Sequence, residues 1–419
     1  IIFPRHLRMG LFEIIAILLT LSAFFSFINY RFLRLPNTIG VMLIGLLFSL
    51  LLLTISRFFP GSKHWAVAML LQIDFDETLL HGMLSFLLFA GALHVNINEL
   101  RQQYRIILGL ATAGVVLSTL IVGFLSWVVL NLLGFNISYI YCLLFGALIS
   151  PTDPIAVLGI LKKADVPKSL EIKIVGESLF NDGVGVVIFL ILLETIVSGA
   201  ELGIARVFRL FVQEAIGGGL LGLGVGLLAY RMLKQVDNYQ VEILITLGLV
   251  TGGYALADAL HLSAPIAIVV AGLLIGNHGR SFAMSEDTRQ NLDTFWELAD
   301  EVLNAVLFLL IGLEVMVLNY SWLNLAAALL GILIVLSARL VSVSIPIHLL
   351  KRSRSFSPHV AKILTWGGLR GGISIALALS LPVGIERDVL LAITYGVVVF
   401  SILVQGLTIS PFLRKLRKT

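Results

Sequence analysis

The sequence predicts an all-α polytopic membrane protein with about thirteen transmembrane helices. Three observations support this fold class. Of the 419 residues, 58% are hydrophobic and only 13% are charged, whereas a soluble domain carries about 25% charged residues. The mean hydropathy is +1.01. Apolar stretches of about 20 residues, long enough to cross a hydrocarbon core of about 30 Å, recur along the whole chain.

The apolar stretches follow one another with short polar loops between them. Their predicted bounds are 9–30, 35–56, 79–98, 105–133, 139–162, 171–199, 204–233, 240–260, 264–277, 298–319, 322–351, 360–381 and 388–412. Since the stretch 264–277 is short for a span, counts of twelve and fourteen stay open. An odd count places the two termini on opposite sides of the membrane.

Lys and Arg in the short loops predict the orientation, because cytoplasmic loops carry an excess of these residues. With the N-terminus outside, most of the 29 Lys and Arg residues fall in inner loops, for example Lys162, Lys163 and Arg352. We therefore expect an integral protein of the plasma membrane with a cytoplasmic C-terminus. The net charge of +4 is spread over the loops, and such a distribution predicts no nucleic-acid partner.

Two predicted spans contain helix-breaking runs. Span 139–162 contains Ser-Pro-Thr-Asp-Pro at 150–154, and each proline removes an amide donor and clashes with the preceding turn. Span 360–381 contains Gly-Gly-Leu-Arg-Gly-Gly at 367–372. Either run alone also fits a kinked helix. Their corresponding positions predict a single domain, 1–419, made of two inverted six-helix repeats, 9–199 and 240–412, linked by span 204–233, with a binding site at the breaks.

Charged residues at the two breaks suit such a crossing. Opposed half-helices leave partial positive charge at amino ends and partial negative charge at carboxyl ends near the middle of the membrane. Asp153 and Arg370 have the signs that compensate these ends, and Thr152 adds oxygen atoms beside them. Direct ligation of an ion by Asp153 is a second possible role.

Span 171–199 carries the polar residues Glu177, Ser178, Asn181 and Asp182. Residues four apart share a helix face, so Ser178 lies one turn from Asp182 and Glu177 one turn from Asn181. Asp182 lies roughly 16 Å into the span, and an ionisable residue at that depth indicates a functional site. A carboxylate with a nearby hydroxyl suits a hard cation. The alternative is a buried Asp that hydrogen bonds alone satisfy.

Arg339 lies inside span 322–351 and keeps its charge, so it requires an anionic partner. The candidates are Glu177, Asp182, Asp153 and Glu314. Glu177 is the preferred partner, because a pair between Arg339 and Asp182 would compete with a bound cation. A buried Glu177–Arg339 pair would be structural, and removal of one partner would cost about 3–5 kcal/mol.

Five motifs stand out when the sequence is read as a whole. They are Ser-Pro-Thr-Asp-Pro at 150–154, Gly-Glu-Ser-Leu-Phe-Asn-Asp-Gly at 176–183, Phe-Leu-Leu-Ile-Gly-Leu-Glu at 308–314, Ser-Ala-Arg at 337–339 and Trp-Gly-Gly-Leu-Arg-Gly-Gly at 366–372. Together they resemble the cation/proton antiporter family one, specifically the NhaP-type Na⁺/H⁺ antiporters. By this resemblance, the Asn-Asp pair at 181–182 is typical of the electroneutral branch.

The resemblance implies a homodimeric exchanger of thirteen helices, in which a six-helix ion-carrying bundle moves against a dimerisation domain. By the same resemblance Asp182 carries both the cation and the proton, and no cofactor or enzymatic activity is expected. The implied ligands of the transported Na⁺ are Asp182, Asp153, Ser178 and Thr152. The implied supporting residues are Glu177, Asn181, Arg339 and Arg370.

The third span departs from the family pattern. Many relatives have a carboxylate near the position of Ala90, which supplies no ligand. Because the coordination or selectivity of the site can therefore differ, a K⁺/H⁺ antiporter, or one that also takes Li⁺, stays open as an alternative. His94, one turn further on, is either a pH-sensitive group or a packing residue.

The expected mechanism is competition between Na⁺ and H⁺ at Asp182 with electroneutral exchange by alternating access. Two other classes are weighed against it. An intramembrane aspartyl protease would need Tyr-Asp and Gly-x-Gly-Asp motifs, which this sequence lacks. A cation channel would use acidic rings or carbonyl filters, whereas this chain shows paired helix breaks.

Two further patterns have ordinary and functional readings. Glycines in span 204–233 predict close helix packing or a flexible connector between repeats; they are Gly217, Gly218, Gly219, Gly222, Gly224 and Gly226. Glu297, Asp300 and Glu301 lie at the predicted cytoplasmic start of span 298–319. They predict an acidic funnel that attracts cations, or a solvated helix start.

Overall fold

The computed structural model describes residues 10–56, 82–153, 168–199, 203–318, 321–350 and 359–416. The regular structure in these ranges is helical. The main helices are α1 (Leu11–Ile28), α2 (Asn37–Ile55), α3 (Leu84–Leu93), α4 (Ile97–Leu132), α5 (Tyr139–Ile149), α6 (Lys168–Ser198), α7 (Ile204–Leu233), α8 (Tyr239–Ala259), α9 (Ala264–Leu274), α10 (Glu286–Glu314), α11 (Trp322–Leu350), α12 (Val360–Trp366), α13 (Gly372–Leu379), α14 (Ile385–Phe400) and α15 (Gly406–Leu416).

The described helices confirm the predicted class of an all-α membrane protein. Eight candidate spans in the described ranges are long and apolar enough to cross a bilayer, and the shorter helices α3 and α5 are also apolar. The longest, α4, contains a π-helical turn at Leu110–Gly114. The count of thirteen spans and their division into inverted repeats stay predictions.

The end of the third predicted span is wrong. Helix α3 ends at Leu93, and α4 begins at Ile97, within the predicted span 79–98. The cause is a helix cap: the Asn96 side chain accepts hydrogen bonds from the amides of Asn98 (2.9 Å) and Glu99 (3.4 Å). A capped start satisfies amides that the first helical turn leaves unpaired, so a polar residue begins the new helix.

Helix α10 begins twelve residues before its predicted start at 298, at Glu286. The Ser285 side chain caps it by accepting a hydrogen bond from the Thr288 amide. The acidic residues Glu286 and Asp287 occupy the first turn, where the helix dipole favours negative charge. The predicted solvated helix start at residues 297–301 is therefore wrong, because these residues lie inside the helix.

Buried side chains form two hydrophobic clusters. One cluster joins α3, α7, α8 and α9 to the first half of α10, with Phe89 and Trp296 among its buried residues. The other joins most of the remaining helices to the second half of α10, with Phe145 and Phe308 among its buried residues. The Trp296 ring lies 4.7 Å from that of Phe89, and its indole N–H donates to Thr246. Helix α10 therefore connects the two clusters.

Two non-helical segments lie side by side inside the molecule. We name residues 150–153, which follow α5, the first crossing segment, and residues 367–371, between α12 and α13, the second crossing segment. The Asp153 amide donates to the Leu369 carbonyl at 2.8 Å. The rest of predicted span 139–162, from Pro154 onward, lies outside the described residues. The polar residues of the two crossing segments therefore lie close together inside the molecule.

Candidate functional site

A cavity of about 590 Å³ lies beside the first crossing segment. Its wall includes side chains from α3, α6 and α10, and both crossing segments contribute to it. Asp182, Asp153 and Thr152, three of the predicted ion ligands, line the cavity. Two carboxylates and a hydroxyl from separate parts of the chain thus line the same cavity.

The polar residues of α6 are buried, as their positions in an apolar span predict. Glu177, Ser178, Asn181 and Asp182 all belong to the buried class, and Asp182 is 6% exposed. The helical spacing that the sequence gives them is the one found in α6. Asp182 faces the cavity, whereas its three neighbours contact other protein groups.

Thr152 is fixed by α6. The Asn181 side chain accepts a hydrogen bond from the Thr152 amide at 3.3 Å and donates one to its hydroxyl at 2.8 Å. The Ser178 and Thr152 hydroxyl oxygens lie 2.9 Å apart. Ser178 is therefore linked to the cavity wall by its contact with Thr152. None of these hydrogen bonds uses the Asp182 carboxylate.

The Asp153 carboxylate lies against the amino end of α13. A Cβ atom on Gly371 would overlap the Asp153 side chain, so only glycine permits this approach. The partial positive charge of a helix amino end favours a nearby carboxylate. The Asp153 charge also repels that of Asp182, while Arg370 attracts it.

Arg370 belongs to the second crossing segment and is buried. Its Nη1 donates to the Pro151 carbonyl at 2.7 Å and also contacts the Ser150 carbonyl. These carbonyls follow the carboxyl end of α5, where backbone acceptors lack helical partners. Its own amide donates to the Ser401 hydroxyl at 2.9 Å. Arg370 thus brings its positive charge to the carboxyl end of α5.

Arg339 pairs with Glu177, the partner that the sequence analysis prefers. The Arg339 Nη1 and Glu177 Oε1 atoms lie 2.5 Å apart, and the two side chains are 6% and 1% exposed. A Cβ atom on Gly368 would lie 2.8 Å from the Arg339 Nε, so this glycine leaves room for the guanidinium. The pair links α6 to α11 and leaves Asp182 outside it.

Asn304 is a site residue that the sequence motifs do not predict. Asn304 and Asp300 both line the cavity from α10, and residues four apart share a helix face. The missed signal is the polar spacing that precedes the apolar run 305–313 of α10. Ala90 also lines the cavity and brings no side-chain oxygen to it.

His94 lies on the cavity wall at the end of α3. Its Nδ1 lies 2.8 Å from the Ala90 carbonyl, and its Nε2 lies 3.9 Å from an Asp293 carboxylate oxygen. Arg280 contacts the same carboxylate. The ring is thus held by local contacts, and a pH-sensing role for His94 stays a prediction.

The donor groups at the cavity are two carboxylates and neighbouring hydroxyls. In the described part of the chain no group of three or more His, Cys, Asp or Glu residues could hold a metal ion.

The fold and the buried polar site define a polytopic membrane protein of the transporter class. A solved structure titled as that of the sodium proton antiporter MjNhaP1 from Methanocaldococcus jannaschii at pH 8 matches it with a TM-score of 0.76. The match covers 97% of this chain and 99% of that one at 19% sequence identity. At this identity the match concerns the fold alone.

The chain belongs to the sodium/hydrogen exchanger family. The family profile described as "Sodium/hydrogen exchanger, transmembrane" matches residues 17–415. The Na(+)/H(+) antiporter NhaP of Pseudomonas aeruginosa is 51% identical over 409 residues, which are 96% of each chain. The Na(+)/H(+) antiporter NhaH of Halobacillus dabanensis is 35% identical over 411 residues, 96% of this chain and 97% of that one.

Proposed function

We propose that this protein exchanges Na⁺ for H⁺ across the membrane by letting the two ions compete for the carboxylate of Asp182. One observation carries the proposal: Asp182 is 6% exposed on a long apolar helix and still faces a cavity. An ionisable side chain in such a position is costly unless it serves an ion pathway. The names of the two relatives support Na⁺ and H⁺ as the exchanged ions.

The proposed Na⁺ ligands are Asp182, Asp153 and Thr152, which line the cavity. Ser178 is the next hydroxyl, and it joins them through its contact with Thr152. A carboxylate that accepts a proton loses the charge that attracts Na⁺. The two ions therefore exclude each other at Asp182, and no cofactor enters the cycle.

The four supporting residues act through the ligands. Asn181 orients Thr152, and Arg370 binds the carbonyls of the first crossing segment. Glu177 and Arg339 neutralise each other, so neither charge competes for the transported cation. In this proposal all four shape the site without carrying an ion.

During alternating access, exchange of the two ions is obligatory because movement of the empty site is costly. An uncompensated carboxylate crosses the hydrophobic barrier poorly, so the site moves only when Na⁺ or H⁺ is bound. One positive charge then crosses in each direction per cycle, and transport is electroneutral. We propose that the two crossing segments belong to broken spans of a six-helix bundle, which moves within a thirteen-span homodimer.

We propose an inward-open state for this structure. The cavity wall includes His94, at the end of α3, and Glu297, in the first half of α10. The excess of Lys and Arg in the adjoining loops predicts that this part of the cavity lies on the cytoplasmic side, with the N-terminus outside and the protein in the plasma membrane.

The test is exchange by purified protein in proteoliposomes. Asp182→Asn keeps the side-chain volume and removes the charge, so Na⁺-coupled proton flux should vanish. Asp258→Asn is the matched control, because Asp258 is exposed on α8, and it should keep wild-type exchange. Proton flux that persists in Asp182→Asn would remove Asp182 from the mechanism.

The same assay decides between the ions and classes that the sequence leaves open. Flux that saturates and couples to protons identifies an antiporter, whereas flux without proton coupling indicates a channel. Na⁺, Li⁺ and K⁺ are compared at equal concentration. A preference for K⁺ would turn the proposal into K⁺/H⁺ exchange at the same carboxylate.

A further inference from the structure

Helix α10 presents a second pair of polar side chains to the cavity. Asp300 and Asn304 lie four residues apart and line the same cavity as Asp153 and Asp182. Side chains at this spacing neighbour each other on one helix face. The roles proposed above for Asp182 and its ligands use neither residue.

Asn304 has an oxygen atom that lacks a partner. The side chain is 2% exposed, and its Nδ2 donates to the Asp300 carbonyl at 2.8 Å. That hydrogen bond fixes the orientation of the amide. Among the described residues no group hydrogen bonds to the Asn304 Oδ1. A buried acceptor without a partner is destabilising, and an ion or a hydrated ion at this position would supply the missing partner.

Asp300 adds negative charge beside the Asn304 side chain, which hydrogen bonds to that of Asp300. The side chain is partly buried, and the Asp153 charge repels it. A bound cation would relieve this repulsion. Its electrostatic attraction to Asp300 also acts in a partly water-excluded space, where such interactions are stronger than in bulk water.

The opposite wall of the cavity cannot supply equivalent oxygens. Phe89 of α3 packs on Trp296 of α10 with ring centroids 4.7 Å apart, so the two helices are neighbours at this level. Asp300 lies one turn after Trp296. The α3 side chains on the cavity before His94 are apolar or absent: Leu84, Leu87, Leu88, Ala90 and Gly91. Between these two helices, side-chain oxygens come from α10.

We propose that Asp300 and Asn304 form a second, weak binding position for a monovalent cation on the path from the cavity mouth to Asp182. This inference rests on the proposed function. Exposed Glu297 and Glu301 line the cavity one turn before Asp300 and Asn304, respectively, and the stretch from 297 to 304 rises about 10 Å. Two protein oxygens and retained water suit a cation in transit.

The kinetic test compares Asp300→Asn with Glu301→Gln in vesicles at zero potential. Asp300→Asn should raise the half-saturating Na⁺ concentration about tenfold on the cavity side, as the loss of one charge-assisted contact implies. The maximal rate should change little, since Asp182 still carries the ion. Asn304→Leu, which removes only the amide, should shift half-saturation in the same direction.

Glu301→Gln is the matched control. It also removes one negative charge, but from the exposed side chain of the residue next to Asp300. Its effect should be one of long-range attraction, which high ionic strength screens. Measurements in concentrated choline chloride should therefore restore Glu301→Gln to wild-type half-saturation and leave Asp300→Asn impaired. Equal effects of the two variants under that condition would overturn the second position.

A binding measurement gives an independent readout. Purified Asp182→Asn protein should retain weak binding of radioactive Na⁺ in a scintillation-proximity assay, and Asp182→Asn/Asp300→Asn protein should lose it. Thermal unfolding checks that both proteins are folded. Absence of binding in folded Asp182→Asn protein, or binding that survives in the double variant, would refute the second position. Absence of exchange in wild-type vesicles would instead refute the proposed function.

Discussion

The Glu177–Arg339 pair shows how a buried charge constrains the site without joining it. Its two charged atoms lie 2.5 Å apart and are almost fully shielded from solvent. Removal of two charges from water is expensive, and their mutual attraction offsets that cost only while both are present. The pair therefore stabilises the contact between α6 and α11 only when both residues are present. Either charge alone would destabilise the protein.

The two single substitutions in this pair should together cost more stability than the double substitution. Glu177→Gln and Arg339→Gln should each lower the free energy of unfolding by about 3–5 kcal/mol. The double variant should lose less than the sum, because it leaves no lone buried charge. Thermal unfolding in detergent measures the three losses, with the exposed Arg206–Glu194 pair as the control.

The control pair is expected to behave differently. Arg206 and Glu194 lie 3.1 Å apart, and their side chains are 48% and 54% exposed, so Arg206→Gln should cost only about 0–1 kcal/mol. Strictly additive losses at Glu177 and Arg339 would contradict a coupled pair. A coupling of Arg339 to Asp182 of equal size would overturn the proposed division of roles.

Sequence reasoning reaches the site residues that helix geometry alone can place. The positions of Ser178 and Asp182 follow from their spacing on one helix. Charge balance leaves four candidate partners for Arg339, and Glu177 is preferred among them because a pair with Asp182 would compete with a bound cation. The double contact of Asn181 with Thr152 could not be predicted, because it depends on how the first crossing segment meets α6. Asn304 lies inside the predicted span 298–319, but its place on the cavity wall could not be predicted, because it depends on how α10 packs against the other helices.

At the scale of elements, glycines set the separation of α7 and α9. Cβ atoms on Gly218 and Gly222 would overlap the carbonyls of Ser263 and Ala267, and one on Gly226 would lie 3.2 Å from the Ala271 Cα. These glycines recur every four residues on one face of α7. They bring the two backbones into contact, as the prediction of close helix packing requires.

Gly222→Ala should therefore destabilise the protein. The added methyl group must push α7 away from the Ala267 carbonyl, and such overpacking costs about 1–3 kcal/mol. Gly219→Ala is the control on the same helix, since a Cβ atom there meets nothing within 4 Å. Thermal unfolding of both variants measures the difference. Equal stability of the two variants would show that the helices separate easily.

The helices were predictable in their existence and less so at their ends. Apolar length identifies α7 and α11 almost to the residue, because membrane-spanning segments must bury every backbone polar group. Helices α4 and α10 begin at polar caps, Asn96 and Ser285. Hydropathy does not register a cap, since the signal there is a hydrogen bond rather than an apolar surface.

At the scale of the whole molecule, the cavity lies where the two hydrophobic clusters meet. Leu84, Leu88 and Ala90 on its wall belong to one hydrophobic cluster, whereas Leu87 and Leu307 belong to the other. Packed interiors resist continuous deformation, so movement concentrates at boundaries between them. In the proposed mechanism, a shift along this boundary would change which side of the membrane the Asp182 carboxylate faces.

Competition at one carboxylate predicts how pH changes transport. If H⁺ and Na⁺ bind the same Asp182 oxygens, acid should raise the half-saturating Na⁺ concentration. High Na⁺ should move the acid limb of the activity profile to lower pH. The maximal rate at saturating Na⁺ should change less across that limb than half-saturation does, because enough Na⁺ displaces the proton.

The measurement is Na⁺-dependent exchange at several fixed pH values in vesicles clamped at zero potential. Asp300→Asn provides an internal comparison, since it should raise half-saturation at every pH and leave the pH shift intact. Acid that lowers the maximal rate while half-saturation stays constant would place the proton at a separate group. Asp182 would then carry only the cation, and the fluxes of Na⁺ and H⁺ would have to be coupled through a conformational change between the two hydrophobic clusters.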